Sequence, residues 1–586
     1  MRTNRIGRML AFCFALLIAV SAVQCSVVSA SATGLPEDSW AGGSITATLD
    51  IKEQDAGNVT VNAYKLVSVH TAQLGGTNPA VFQPSMPEYT WESGIAGWVR
   101  KYYRDYIGAA ADGGNPADDS VQEVFSTGNE DSSKDISAAV AANFYAEIEA
   151  GIMGGTIHLS PVPLTVSGKT ASVSGLTMGV YLVTATGGTA VYRPTVAMIT
   201  PEESNGSWTI MENARVVLKS SPVSLKKTIT AVNGSAGTTA VSSDGKRAVA
   251  GIGDTVSYKL EVDVPEYPSQ SVSRIFTITD TMPDGLTLQT DGIKVVDQVG
   301  DEITIPTGLI TATERTLTIN LDNSDLITGK TKLVVTYDAQ LNDSATIGTE
   351  GNVNTAALTY TNNPYGTVPA DTDFAAKARA VSGSDNTNNT KTFMDTATVY
   401  TFGIEVAKVA KGTKTGLQGA VFELKLKDTM RKIGFTGSGG TYTKAADGTA
   451  ALTTGTDGKL TLKGLAPGTY KLKETKAPAG YVLSAAETEI TIADTNFNGI
   501  PDSKEQPTTD TTTTDTTTTQ TTTTQTTEKD KDNGLVSITV ENTKGFTLPR
   551  TGGIGTVLFS MIGIVLMGSG VLLVAVFLRK RFGKSR

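Results

Sequence analysis

Residues 399–411 read VYTFGIEVAKVAK. Tyr400, Phe402, Ile404 and Val406 fall on alternate positions, the period of a strand that buries one face. Lys408 continues the alternation, so the face that carries the apolar set also aims a lysine at the core. Lysine is rare in an interior unless something removes its charge. The pattern recurs at 222–229, PVSLKKTI, where Val223, Leu225 and Ile229 share parity with Lys227 and Lys226 points out. Two later strands carry asparagine in the same way. Ile538, Val540 and Asn542 share one face, as do Leu358, Tyr360 and Asn362. The bland reading is a lysine that snorkels at a strand end, with ordinary hydrogen-bonded asparagines.

Short alternating runs between Gly, Asn and Asp turns fill the rest of the chain. Examples are SITATLDIKE (44–53), VTVNAYKLVSV (59–69), TVSYKLEVDV (255–264), KLVVTYDAQL (332–341) and GTYKLKETK (468–476). Many such strands predict an all-β chain of tandem immunoglobulin-like sandwiches. Helical spacing interrupts them at ESGIAGWVRKYYRDYIGAAA (92–111) and DISAAVAANFYAEIEAGIM (135–153), which predicts helices inserted in the first domain. New strands open near Lys219-Ser220-Ser221-Pro222 and Val399-Tyr400, giving domains at 33–219, 220–399 and 400–547. Thr508 to Thr527 holds 16 threonines in 20 residues, a composition that buries no core. Because the strand-like GLVSITVENT follows it, the tract reads as a long loop inserted in the third domain rather than a terminal stalk.

The two ends place the protein. Arg2, Arg5 and Arg8 precede an apolar run from Met9 to Val23 and a small-residue site at Ala30-Ser31-Ala32, the pattern of a secretory signal peptide over 1–32. Ile554 to Leu578 has 25 residues without a charge, enough to cross a hydrocarbon core of ~30 Å as a helix. Arg579, Lys580, Arg581, Lys584 and Arg586 follow it as a cytoplasmic stop. Both cysteines, Cys13 and Cys25, lie in the leader, so the exported part has none to form a disulfide. That absence also removes cysteine nucleophiles and cysteine zinc sites. The two histidines, His70 and His158, sit in separate strand-like stretches and read as structural, so an enzyme acting on an external substrate is not expected. A net charge of −9 argues against nucleic-acid binding.

Leu548-Pro549-Arg550-Thr551-Gly552, followed by the apolar span and basic tail, resembles the cell-wall sorting signal (548–586) of Gram-positive surface proteins. YKLKETKAPAGY (470–481) looks like the E-box of sortase-assembled pilins. GLQGAVFEL (416–424) and DGKLTLKGLAPGTYKLKE (457–474) resemble a Cna-B-type sandwich. FTITDTMPDGLTL (276–288) and NTAALTYTNNP (354–364) resemble the middle domain of major pilins, and VSGLTMGVYLVT (173–184) their first domain. The family so indicated is the isopeptide-forming backbone pilins.

The resemblance implies chemistry for the buried lysines. Neutral Lys408 attacks the Asn542 carboxamide with Glu474 as the acid. Lys227 attacks Asn362 with Asp280, and each ligation expels ammonia. Desolvation favours this pairing of a neutral amine with a protonated carboxyl. It also implies that a sortase cleaves after Thr551 and transfers the acyl group to a lysine of the next subunit. Lys219, in ENARVVLKSSP (212–222), holds the place of the family's acceptor, without the Tyr-Pro pair that precedes that lysine elsewhere. The partners implied are a pilin sortase, other copies of the chain, a housekeeping sortase with peptidoglycan, and host-surface ligands. The rival readings are a wall-anchored monomeric adhesin and a basal or accessory pilin. No cofactor is required. One loop, DTNFNGIPDSKE, places Asp494, Asn496, Asn498, the Ile500 carbonyl, Asp502 and Glu505 at the ligand positions of an EF-hand loop, with Gly499 at the turn, so calcium is the cation it would hold.

Overall fold

In the computed structural model, the described residues are 40–50, 58–70, 88–108, 119–121, 138–204, 207–234, 240–267, 271, 273–364, 390–505, 533–545 and 554–582. The signal peptide, the threonine tract at 508–527 and the pentapeptide Leu548–Gly552 lie outside them. Period-two alternation is realised as sheets throughout. Contacts divide the chain into two compact units, residues 1–346 with 350–400, and 347–349 with 401–586.

The first unit contains two sandwiches. In the first, an eight-stranded sheet carries at one edge the strands Gly43–Leu49 and Asn213–Leu218, which run parallel with Ser44 opposite Asn213. Ile45, Ala47, Leu49, Val216 and Leu218 point inward and are at most 2% exposed. The helices Ser93–Tyr102 and Ala138–Met153 fall within the two segments predicted. The earlier one stops well short of Ala111: a 3-10 turn follows at Arg104–Tyr106, and Ile107 is extended and bridges Val121. What holds these helices is an aromatic cluster, with Phe144 edge-on to Tyr103 at 4.7 Å and to Trp91 at 6.0 Å. His70 hydrogen-bonds to Thr90 on the neighbouring strand. His158 is exposed, and its carbonyl lies so near Gly94 that a side chain there would collide with it.

The middle sandwich faces a five-stranded sheet against a six-stranded one. Leu225–Val232, Thr255–Asp263 and Lys332–Leu341 lie side by side in the first, and Phe276–Thr281, Asn352–Thr361 and Thr390–Tyr400 in the second. The contact division falls at Tyr400, which ends a strand of the middle domain, so the third domain's first strand is Phe402–Ala410.

The third domain pairs a five-stranded with a four-stranded sheet. Leu535–Asn542, the strand beyond the threonine tract, runs parallel to Phe402–Ala410 from Gly403↔Leu535 to Ala410↔Asn542. Chain on both sides of the tract therefore belongs to one sandwich. The helix Ile554–Phe582 contains a stretch, Phe559–Arg581, that is long and apolar enough to cross a membrane and ends in the basic residues Arg579, Lys580 and Arg581.

Candidate functional site: two buried lysine centres

Lys408 follows Phe402, Ile404 and Val406 into the core, and all four are 0% exposed. Its Nζ donates to Asn542 Oδ1 and lies 3.2 Å from Glu474 Oε1. Asn542 Nδ2 donates to that same Oε1 at 2.9 Å, while Glu474 Oε2 accepts the Ser484 amide at 3.1 Å. Lysine and asparagine come from adjacent parallel strands of one sheet, and the acid comes from the sheet opposite. Burial lowers the Lys408 pKa, with Glu474 opposing. One carboxylate oxygen thus touches both the amine and the nitrogen that ligation would expel.

Lys227 is equally buried and contacts Asp280, itself 0% exposed. Its Nζ also donates to the Tyr337 hydroxyl at 2.6 Å, and that hydroxyl accepts Asn354 Nδ2 at 3.1 Å. The carboxamide at this centre is therefore that of Asn354, not the expected Asn362. Asp280 stands opposite Ala356, and Asn362 lies six positions farther along, about 20 Å at ~3.3 Å per residue. Asn362 instead donates to the Gly188 carbonyl of the first domain at 3.3 Å, beside the contact of the Tyr360 hydroxyl with the Thr189 carbonyl. It fastens two domains. The sequence reading also passed over an exterior clamp on the lysine strand. Asp395 accepts the Lys227 amide at 2.6 Å, Lys246 donates to the Lys227 carbonyl at 2.7 Å, and the two clamp residues pair with each other.

Burial pushes the Lys227 pKa down to about 8, with Asp280 pulling the other way. This has a consequence for an unlinked variant such as Asn354→Ala. The folded-state value lies below the ordinary lysine value of 10.5, so between pH 8 and 10.5 the unfolded chain binds more protons. Stability should therefore rise as pH increases through that window, by up to about 3 kcal/mol, with the full penalty present below pH 8. Denaturant midpoints measured at pH 7.5 and 10 check this. The wild type, if its lysine is tied up as an amide, should show no such rise.

Lys219 is exposed, between Leu218 and the short strand Ser220–Ser221, which pairs with Val191–Tyr192. Its carbonyl accepts the Arg193 amide at 3.0 Å, and the Arg193 guanidinium pairs with Glu266 of the middle domain. The Lys219 ammonium makes no ion pair among the described residues. In the Asp494 loop, the Asp494 carboxylate accepts the Asn498 and Gly499 amides, Asn498 Oδ1 accepts the Ile500 amide, and Asp502 accepts the Thr495 amide. Among the described residues, no three His, Cys, Asp or Glu side chains gather as a metal cluster.

A family model described as a prealbumin-like fold domain matches residues 402–506, and one described as the LPXTG cell wall anchor motif matches 540–581. The trypsin-resistant surface T6 protein of Streptococcus pyogenes serotype M6 is 26% identical over an alignment of 373 residues that covers 55% of this chain and 64% of that protein. The chain thus spans a little under two thirds of that relative's length. The solved T6 backbone pilin of the same serotype, described as a modular three-domain structure with variable loops and extensions, superposes with a TM-score of 0.54 at 20% identity. It covers 86% of this chain and 99% of its own. The full-length major pilin SpaD of Corynebacterium diphtheriae gives 0.43 at 18% identity, covering 88% and 100%.

Proposed function

We propose that this chain, with its backbone-pilin fold, prealbumin-like third domain and LPXTG anchor, is the repeating subunit of a covalently polymerised pilus on a Gram-positive surface. A pilin sortase joins Thr551 of one subunit to Lys219 of the next, and a housekeeping sortase attaches the finished polymer to peptidoglycan. Subunits joined end to end carry tension along their sandwiches, and strands held only by hydrogen bonds give way under it. The observation that carries the reading is the Lys408–Asn542–Glu474 arrangement, which sets an amine and a carboxamide on the first and last strands of one domain beside an acid from the sheet opposite.

Ligation there needs no outside reagent. The neutral Lys408 amine attacks the Asn542 carboxamide carbon, Glu474 relays a proton from Nζ to Nδ2, and ammonia departs as the amide forms. Lys227, Asp280 and Asn354 repeat the chemistry in the middle domain. Residues 33–547 made as a soluble chain should weigh less than their sequence mass by two ammonia molecules. Glu474→Ala should restore one of them. Asp280→Ala and Asn354→Ala should each restore the other, whereas Asn362→Ala should restore neither. An unmodified wild-type mass after native folding would end the isopeptide reading.

Calcium at the Asp494 loop is a separate proposal, in which the cation would share carboxylates that already hold backbone amides. A calcium-dependent rise in Tm that Asp494→Ala removes is its test.

A further inference from the structure

The two lysine centres differ in how their acid reaches the leaving nitrogen. In the third domain Glu474 Oε1 lies 3.2 Å from the lysine Nζ and accepts the Asn542 nitrogen at 2.9 Å, so one atom serves both ends of the proton transfer. Aspartate is one methylene shorter. Asp280 contacts Lys227, but no hydrogen bond joins it to Asn354, whose nitrogen is held by the Tyr337 hydroxyl at 3.1 Å. That hydroxyl also accepts the Lys227 amine at 2.6 Å. Both its lone pairs are then used, so its own hydrogen is left for an acceptor; burial and the neighbouring Asp280 carboxylate both raise its pKa, and Asp280 Oδ1 is buried with no hydrogen-bond partner among the described residues. The ring stacks on Tyr258 with centroids 5.3 Å apart and planes 13° from parallel, which fixes where the hydroxyl points. Tyr337 and Lys227 come from one sheet, Asp280 and Asn354 from the other.

We infer that Tyr337 is a catalytic residue of the middle-domain ligation, the link that carries a proton from the short acid to the departing ammonia. The inference rests on the isopeptide reading of this centre. Lys227 Nζ, as the neutral amine, forms its bond to Asn354 Cγ, and its surplus proton goes to Asp280 as that acid gives its own up to the phenol. As Nδ2 becomes tetrahedral and regains its lone pair, the phenol passes its proton to Nδ2 and takes the one on Asp280. The Cγ–Nδ2 bond then breaks and ammonia leaves. The phenol and carboxyl end as they began, one proton has moved from Nζ to Nδ2, and no co-reactant is consumed. The third domain needs no such relay because its glutamate spans the gap.

The test follows each link through time in residues 33–547 after a short pulse of synthesis, by mass spectrometry of the peptides that join Lys227 to Asn354 and Lys408 to Asn542. In Tyr337→Phe the middle link should form at least tenfold more slowly, while the third-domain link keeps the wild-type rate. An unchanged middle rate overturns the role of Tyr337. If the wild type never forms the middle link, the underlying reading fails instead, a result distinguishable because no Lys227 peptide is then found in any variant. Placing 3,5-difluorotyrosine at position 337 guards against a folding defect, since it keeps the ring and hydroxyl but makes the phenol more acidic. A several-fold change in the middle-link rate supports the relay, and an unchanged rate overturns it.

Discussion

Lys219→Arg should abolish the detergent-resistant ladder of polymers in cell-wall extracts and leave a single wall-linked monomer. The substitution keeps the positive charge and much of the side chain's length. It removes the one property transfer requires, a nitrogen lone pair, because a guanidinium stays protonated throughout the accessible pH range. Loss of fold is not an alternative explanation. Lys219 is exposed, and the seam is held by its carbonyl with the Arg193 amide and by the short strand that follows, neither of which depends on the side chain. Surface substitutions of this kind usually change stability by less than about 0.5 kcal/mol. Anchoring through Thr551 is untouched, so the monomer should still reach the wall. Immunoblots of extracts boiled in detergent make the measurement. A ladder that persists would move the acceptor elsewhere, and no ladder in the wild type would favour the monomeric adhesin.

Alternation along single strands made the lysines legible. Phe402, Ile404, Val406 and Lys408 repeat at period two, and burying that face brings the lysine in with it. The same rule failed to choose between asparagines. Asn354, Ala356, Leu358, Tyr360 and Asn362 all share parity, so every one of them qualifies as inward-facing. Only the pairing of Asp280 with Ala356 tells which asparagine sits near the acid, and that register is set between segments some seventy residues apart. Tyr337 was hidden for a related reason. In KLVVTYDAQL it looks like one more apolar member of an alternating strand, and its hydroxyl gains meaning only from Lys227 two strands away in its own sheet and Asn354 in the sheet opposite. The Arg104–Tyr106 turn was illegible because aromatic packing on Phe144, rather than local helical spacing, decides where that segment bends.

Cutting the chain within the threonine tract should leave the third domain in one piece even under denaturing conditions. A protease site engineered between Thr508 and Thr527 divides the sequence into a part containing Lys408 and a part containing Asn542. In the fold these parts meet along the whole Gly403↔Leu535 to Ala410↔Asn542 ladder, with Lys408 Nζ donating to Asn542 Oδ1 in the core. Hydrogen bonds of that ladder vanish in detergent, but an amide between the two side chains does not. The cleaved wild type should therefore run as a single branched species, while cleaved Asn542→Ala separates into two bands. Glu474→Ala should behave as Asn542→Ala does, because without the acid the amine and carboxamide remain unjoined. The described chain on either side of the tract is then joined by the cross-link. Closing a longer loop costs only about 0.6 kcal/mol per doubling of its length, so the insertion weighs little on the domain. Deleting 508–527 should leave Tm unchanged or slightly raised. Two bands from the cleaved wild type would mean that Asn542 is not the partner of Lys408 and that the strand beyond the tract is held by its ladder alone.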